Sequence, residues 1–358
     1  MEEKKDNFHI LELMVCPAFS VCNGVIEYVN RAAAQLSFQP GMAVEPLLPG
    51  QAEDYAAYSG GCLYLSLDVA GFTMGASVTR SGNSDIFVID QTEQLQLQTM
   101  ALIAQDLRMP LTDALNAVDH LLPQLEGDPR DDVSQQLAQL NRRLTQINRV
   151  VLNMSDAARY NDNRTSRVIL EDVVSFIEEV LENAGKLMNS TGVLLSVKLP
   201  GTAANCLVDE EKLERAIYNL LSNAIKASRP GQTVEVELTQ RQRRLYLSVT
   251  DHGEGMDDET MSNIFTRYRR SPGLDAAGNG VGLGMVIVRA AAAAHGGTVL
   301  VTRPESGGTK ITLTMTLRTG LELPLHSSTL WPDYAGERDH GLLELSEVLP
   351  SNLYRHKN

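Results

Sequence analysis

The chain has only four cysteines in 358 residues, and none of Cys16, Cys22, Cys62 and Cys206 forms a C-x-x-C pair or has a histidine at metal-ligand spacing. That dispersal argues against a metal centre or redox pair, and the four read as buried apolar residues of a reduced compartment. No apolar run approaches the ~18 residues a membrane span needs, and the start, Met1-Glu2-Glu3-Lys4-Lys5-Asp6, is too charged for a signal peptide. A basic surplus is also missing. The net charge of −14 has the wrong sign for releasing counterions from nucleic-acid phosphate. Two common nucleotide fingerprints are absent as well: there is no G-x-x-x-x-G-K-[ST], and the glycine run Gly278-Asn279-Gly280-Val281-Gly282-Leu283-Gly284 has Leu283 where G-x-G-x-x-G needs its third glycine. What remains is a cytoplasmic α+β protein of two or three domains, each able to bury its own core.

Within residues 1–90, Ala18-Phe19-Ser20-Val21 and Val25-Ile26-Glu27-Tyr28-Val29 flank Asn23-Gly24, a strong hairpin signal. A short helix from Asn30 to Leu36 follows, and Cys62–Leu67, Thr73–Val78 and Ile86–Ile89 read as strands of one antiparallel sheet. This order resembles a PAS-type sensor domain, which would pass a signal into a following helix. A small α/β domain that only dimerises or docks fits the same residues, and no ligand contact can be named.

Residues 91–162 read as a helical hairpin. Asp90-Gln91-Thr92-Glu93 has the form of a capping box, and the apolar positions Leu97, Ala101, Ala104, Leu107, Leu111, Leu115, Val118, Leu122 and Leu125 fall at helical spacing. Gly127-Asp128-Pro129 breaks the helix, and a second one carries Val133, Leu137, Leu140, Leu144, Ile147, Val151, Met154 and Ala158. One hairpin cannot bury both stripes, so a dimeric four-helix bundle is expected, with an intramolecular packing on neighbouring domains as the alternative.

The first helix contains Gln105-Asp106-Leu107-Arg108-Met109-Pro110-Leu111, which resembles the phosphoacceptor box of sensor histidine kinases. Asp106, Leu107, Arg108, Pro110 and Leu111 match. Where the family has its nucleophilic histidine this chain has Gln105, whose amide nitrogen is no nucleophile at neutral pH. Asp106 keeps the position of the carboxylate that would help take the histidine proton. Met109 stands where the family has a Thr or Asn that positions water for dephosphorylation. His120 lies fifteen residues on, about 22 Å along the axis, and reads as a surface or bundle-edge residue.

Residues 163–318 hold the densest set of motifs. Asp209-Glu210-Glu211 starts a helix in which Asn219, Asn223 and Lys226 share one face, a neutral-oxygen and ammonium stripe suited to a Mg²⁺-triphosphate. A strand ends in Asp251-His252-Gly253-Glu254-Gly255, and Ile264-Phe265 opens an aromatic and basic stretch to Arg270. The glycine run comes next, then His295-Gly296-Gly297, and Gly307-Gly308-Thr309 precedes a closing strand. In this order they resemble the N, G and F boxes of the histidine-kinase ATP-binding domain, an α/β sandwich of the GHKL superfamily. The resemblance implies ATP and Mg²⁺ as cofactors. It implies Asn223, helped by Asn219, for the metal, Lys226 and Arg270 for phosphate and Asp251 for adenine. Gly280, Gly282 and Gly284 would be lid hinge and phosphate cradle, and Gly253, Gly255, Leu283 and Thr309 would line the pocket. GHKL ATPases of the gyrase, MutL and chaperone type, and the anti-sigma serine kinases, have a general-base Glu four residues before the metal-binding Asn. Asn219 occupies that position here and cannot take a proton.

Beyond the expected end of that domain, Leu342, Leu343, Leu345, Val348 and Leu349 in the tail 319–358 either form one short amphipathic element that docks or stay disordered. The resulting expectation is a cytoplasmic, ATP-binding, histidine-kinase-family protein of a two-component system that lacks the usual phosphoacceptor and acts as a regulator. Its partners would be a second copy or a related kinase, and a response regulator or another signalling protein. A working kinase with a different acceptor and a nucleotide-switched binding module are the alternatives.

Overall fold

A computed structural model describes residues 11–90, 94–121, 131–159, 168–265, 283–318 and 338–355. The first unit opens with the expected hairpin: β1 (Ala18–Cys22) and β2 (Val25–Val29) are joined by Asn23 and Gly24, whose φ of 51° and 75° give the turn that matches strand twist. Asn30 then caps α1 (Arg31–Gln35) by accepting the Ala33 N–H, and its amide also donates to the Cys16 carbonyl at 2.9 Å. A second short helix, α2 (Ala52–Ala56), precedes β3 (Cys62–Val69), β4 (Phe72–Ser81) and β5 (Ser84–Ile89). Phe19 stacks on both Phe38 and Phe87 at 4.8 Å in the centre of this unit's core.

Two long helices follow, α3 (Gln94–Leu121) and α4 (Asp131–Arg159). They meet through Ala104, Leu111, Leu115 and Val151, with Leu144 and Met154 packed alongside. Val118 is buried as well, but four other expected seam positions are not covered in the single chain: Leu107 is 46% exposed and Ile147 51%, and Val133 and Leu140 are exposed too. One hairpin can turn each helix toward its partner along only one row, which leaves the rest of a wide apolar stripe in solvent. Glu93 and Gly127-Asp128-Pro129 lie outside the described residues, and Asp90 spends its carboxylate on Arg289 at 2.8 Å.

The third unit comprises β6 (Ile169–Asp172), α5 (Val173–Met188), β7 (Leu194–Lys198), β8 (Asn205–Val208), α6 (Glu210–Ala227), β9 (Thr233–Arg241), β10 (Arg244–Asp251), α7 (Asp258–Asn263), α8 (Gly284–Ala294), β11 (Val299–Thr302) and β12 (Thr309–Thr316). Helices α5, α6 and α8 pack their apolar faces on the sheet, with Ile177, Leu181, Ile217, Leu221 and Val288 at its centre.

The strand order is β2-β1-β5-β4-β3-β11-β12-β10-β9-β7, one continuous ten-stranded sheet. The two units share it through an antiparallel junction in which Val299, Leu300 and Val301 of β11 pair with Tyr64, Leu63 and Cys62 of β3. The sequence pattern gives separate sheets; the junction is long-range and leaves no local signature. Asp54 of α2 reinforces it, buried and accepting from Arg244, Thr298 and Thr314. Burial pushes the Cys62 thiol up to about 12 and Cys206 up to about 11, so both stay protonated and inert at neutral pH. Cys16 and Cys22 are only partly buried, in departure from the expectation.

After residue 318 the next described stretch is 338–355, with α9 (His340–Glu344) capped by Asp339 and a 3-10 turn at Ser351–Tyr354. It docks between α4 and α6, burying Leu342, Leu343, Leu345, Leu349 and Tyr354. Among the described residues, no helix is long and apolar enough to cross a membrane.

Candidate functional site

Helix α6 starts as its first residues dictate. Asp209 accepts the Lys212 N–H, and Glu210 and Glu211 sit in the first turn, where the helix dipole favours carboxylates. Its inner face carries Leu213, Ile217, Leu220 and Leu221, and this fixes the direction of Asn219, Asn223 and Lys226. Asn219 is buried with both polar ends engaged: its amide donates to the Arg215 carbonyl at 2.7 Å, and its oxygen accepts from Arg149 at 2.9 Å. Asn223 is partly exposed and turns its amide to the Met285 sulfur at 3.7 Å, which leaves the carbonyl oxygen as the group able to meet a cation. Lys226 is 22% exposed and ion-paired with Glu347.

Across the site, β10 ends at Asp251, which is buried and accepts the Gly253 N–H at 2.9 Å and the Thr309 N–H at 3.3 Å. Burial pushes its carboxyl above the ordinary range, against the pull of those two donors. The glycines here are required by close approach. A Cβ on Gly253 would lie 2.2 Å from the Ala227 carbonyl oxygen, and one on Gly284 would lie 2.9 Å from Asn219 Oδ1. Gly255 has φ of 75° against Gly308. Leu283 is buried at the start of α8, and Thr309 is buried at the start of β12. Arg270, Gly280 and Gly282 lie outside the described residues. The structure therefore brings Asn219, Asn223 and Gly284 together at the α6–α8 contact, with Lys226 on the same helix but paired to Glu347, and Asp251, Gly253, Gly255 and Thr309 together at the ends of β10 and β12.

Gln105 and Asp106 occupy exposed positions on α3, as do Arg108, Met109 and His120.

A cluster of charges next to α6 escaped the sequence reading. Arg149, 4% exposed, reaches Asn219, Glu344 at 3.0 Å and Glu347 at 3.2 Å with its three nitrogens. Arg215, also buried, holds the other oxygen of Glu344 at 2.9 Å and donates to Asn153. Glu344 is fully buried between the two guanidiniums. Burial pulls the Lys226 ammonium down by more than Glu347 lifts it. Burial also pushes the Glu347 carboxyl up, but Arg149 and Lys226 outweigh it and hold it below the usual carboxylate range. The signal was present in the sequence: Asn141, Thr145, Arg149 and Asn153 recur every fourth residue on α4, and all four are buried. A polar stripe at that spacing ordinarily reads as a solvated face.

Residues 208–319 match the family described as histidine kinase-, DNA gyrase B-, and HSP90-like ATPase. The chain is similar to the heme sensor protein HssS of Staphylococcus saprophyticus, with 25% identity over 228 residues, 63% of this chain and 48% of the relative. It is similar as well to the adaptive-response sensory kinase SasA of Synechococcus elongatus, with 28% identity over 227 residues, 61% of this chain and 58% of the relative. The chain thus spans less than two thirds of the length of either. Full-length ShkA in complex with AMPPNP shares the fold, with a TM-score of 0.51 at 20% identity over 62% of this chain and 46% of that one.

Proposed function

We propose that the chain, whose residues 208–319 match a histidine kinase-like ATPase domain, is a sensor histidine kinase-family protein that binds ATP with Mg²⁺ and acts in two-component signalling as a regulator that does not phosphorylate itself by the usual route. The observation that carries this reading is Gln105, exposed on α3 at the position where the family's phosphoacceptor box has histidine. A carboxamide there cannot accept a phosphoryl group as an imidazole does.

The residues fit the nucleotide. Lys226 and Arg149 supply cations at the edge of α6, Asn223 keeps a neutral oxygen for a hard metal ion, and Asp251 at the end of β10 is the acceptor for an adenine amino group. Gly253, Gly255, Gly284 and Thr309 would form the walls, and by the family resemblance Arg270, Gly280 and Gly282, which lie outside the described residues, would serve phosphate and lid. Bound ATP would supply a transferable phosphoryl group. This chain's own residues would bind and orient it, but the carboxamide of Gln105 is no acceptor for it. Asn219, engaged by Arg149 and Arg215, is no general base, which disfavours vigorous hydrolysis.

The exposed row of Ile103, Leu107, Val133, Leu140 and Ile147 supports a bundle with a second copy or a related kinase, through which a response regulator would be reached. The antiparallel unit of β1–β5 supports a PAS-like sensor. The test is incubation with Mg-ATP labelled at the γ-phosphate. The expected result is binding without acid-labile protein phosphate, and gain of label in Gln105→His. Robust labelling of the unmodified chain that is lost in His120→Ala would overturn the regulator reading in favour of a working kinase.

A further inference from the structure

We propose that the segment 338–355 is an internal occupant of the nucleotide site, with Glu347 standing where a phosphate group would bind, so that the docked segment and a nucleotide exclude one another. This rests on the nucleotide reading given above.

The argument starts from Lys226, the ammonium on α6 that a polyphosphate would need. Its partner is the Glu347 carboxylate, which Arg149 also holds at 3.2 Å. A carboxylate shared by an ammonium and a guanidinium reproduces the contacts those groups make to a phosphate oxygen. The same Arg149 donates to Asn219 at 2.9 Å, so a cationic group already stands on one of the oxygens expected to help hold the metal ion. Both halves of a Mg-phosphate, the cation on the carboxamide and the anion on the lysine, thus have counterparts in the chain itself.

Charge balance makes the occupant replaceable. Arg149, Arg215 and Lys226 face two carboxylates, Glu344 and Glu347. Withdrawing Glu347 takes a negative charge from both Arg149 and Lys226, and a polyphosphate restores it. Glu344, fully buried, is the anchor, whereas Glu347 is 18% exposed on the outer side.

The exchange would also reach the hairpin. The turn carrying Glu347 is gripped from α4 by Arg142, which donates to the Ser346 and Glu347 carbonyls, and by Gln146, which donates to Ser346. Moving Glu347 off Lys226 pulls on those bonds, so nucleotide arrival at α6 is reported to α4.

The test uses the full chain, unmodified and as Glu347→Gln and Glu347→Ala. A fluorescent ATP analogue with Mg²⁺ is titrated, and amide exchange is followed across residues 340–355 with and without ATP. The expected result is about tenfold or more tighter binding in both variants, and ATP-dependent loss of protection at 345–349 in the unmodified chain. Equal affinity in all three, or protection unchanged at saturating ATP, overturns the inference while leaving nucleotide binding intact. Absence of binding in every form removes the nucleotide reading and this inference with it.

Discussion

Arg149 of the hairpin hydrogen-bonds Asn219 of the ATPase-type helix α6 at 2.9 Å, with both side chains buried. The contact ties two units through a polar pair out of reach of water, where a missing partner costs more than the bond is worth. Asn219→Ala is expected to lower stability by about 1–3 kcal/mol, the cost of a buried donor left unmatched. Urea unfolding of the full chain measures it, and a midpoint unchanged from the unmodified protein would show that the pair is not tight.

Glu344 should matter more. It bridges two buried guanidiniums, Arg149 and Arg215, and Glu344→Gln leaves both undercompensated, with an expected loss of about 3–5 kcal/mol. Glu347→Gln should cost less in the same unfolding experiment, because its carboxylate is 18% exposed where that of Glu344 is fully buried.

His295 sets an acid limit. Its Nε2 accepts the Asp209 N–H at 3.0 Å and its Nδ1 faces the Ala291 carbonyl at 2.7 Å, an arrangement that needs the neutral ring. Burial pulls it below its ordinary value of 6.5. Below 6.5 the unfolded chain takes up a proton that the folded chain refuses, so stability is full above that pH and falls as pH drops toward the depressed value. Thermal midpoints measured between 6.5 and about 5 should decline, and His295→Gln should flatten the slope. An unchanged slope would mean that other groups carry the acid sensitivity.

Asp251→Asn separates turn from ligand. Asn keeps one acceptor oxygen for the Gly253 and Thr309 N–H groups, so the fold should survive, but the second oxygen becomes a donor. A loss of adenine-nucleotide affinity of about tenfold or more, about 1.4 kcal/mol, with unfolding little changed, is the expected outcome in a binding titration. Unaltered affinity would remove Asp251 from the adenine contact.

Local chemistry made the elements legible. Asn23-Gly24 dictated the first hairpin, Asp209 the start of α6, and Gly296, with φ of 64°, the end of α8. Asn219, Asn223 and Lys226 were legible as one helix face. What escaped is everything that depends on distant partners. The β3–β11 junction joins residues more than two hundred positions apart, and its strands look like any other strands. The α4 stripe Asn141, Thr145, Arg149 and Asn153 was hidden because hydrophilic residues are read as wet, and here Asn141 donates to the Tyr354 carbonyl, Arg149 to Glu344, Thr145 to the Asn141 carbonyl, and Asn153 accepts from Arg215. Asn219 was assigned by type to the metal, and no sequence pattern indicated that Arg149 reaches its oxygen.

The shared sheet changes what can be recombined. Members of modular signalling families are often treated as beads that can be cut and rejoined at the start of the first long helix. A cut near residue 90 here would strip β3 from β11, baring an apolar strand edge at Val299–Val301 and leaving Arg244 without Asp54. The smallest exchangeable piece of this chain is therefore not its front unit. Swapping that unit for a foreign one would have to supply a strand in the same register, and chimaeras that ignore this should aggregate rather than fold.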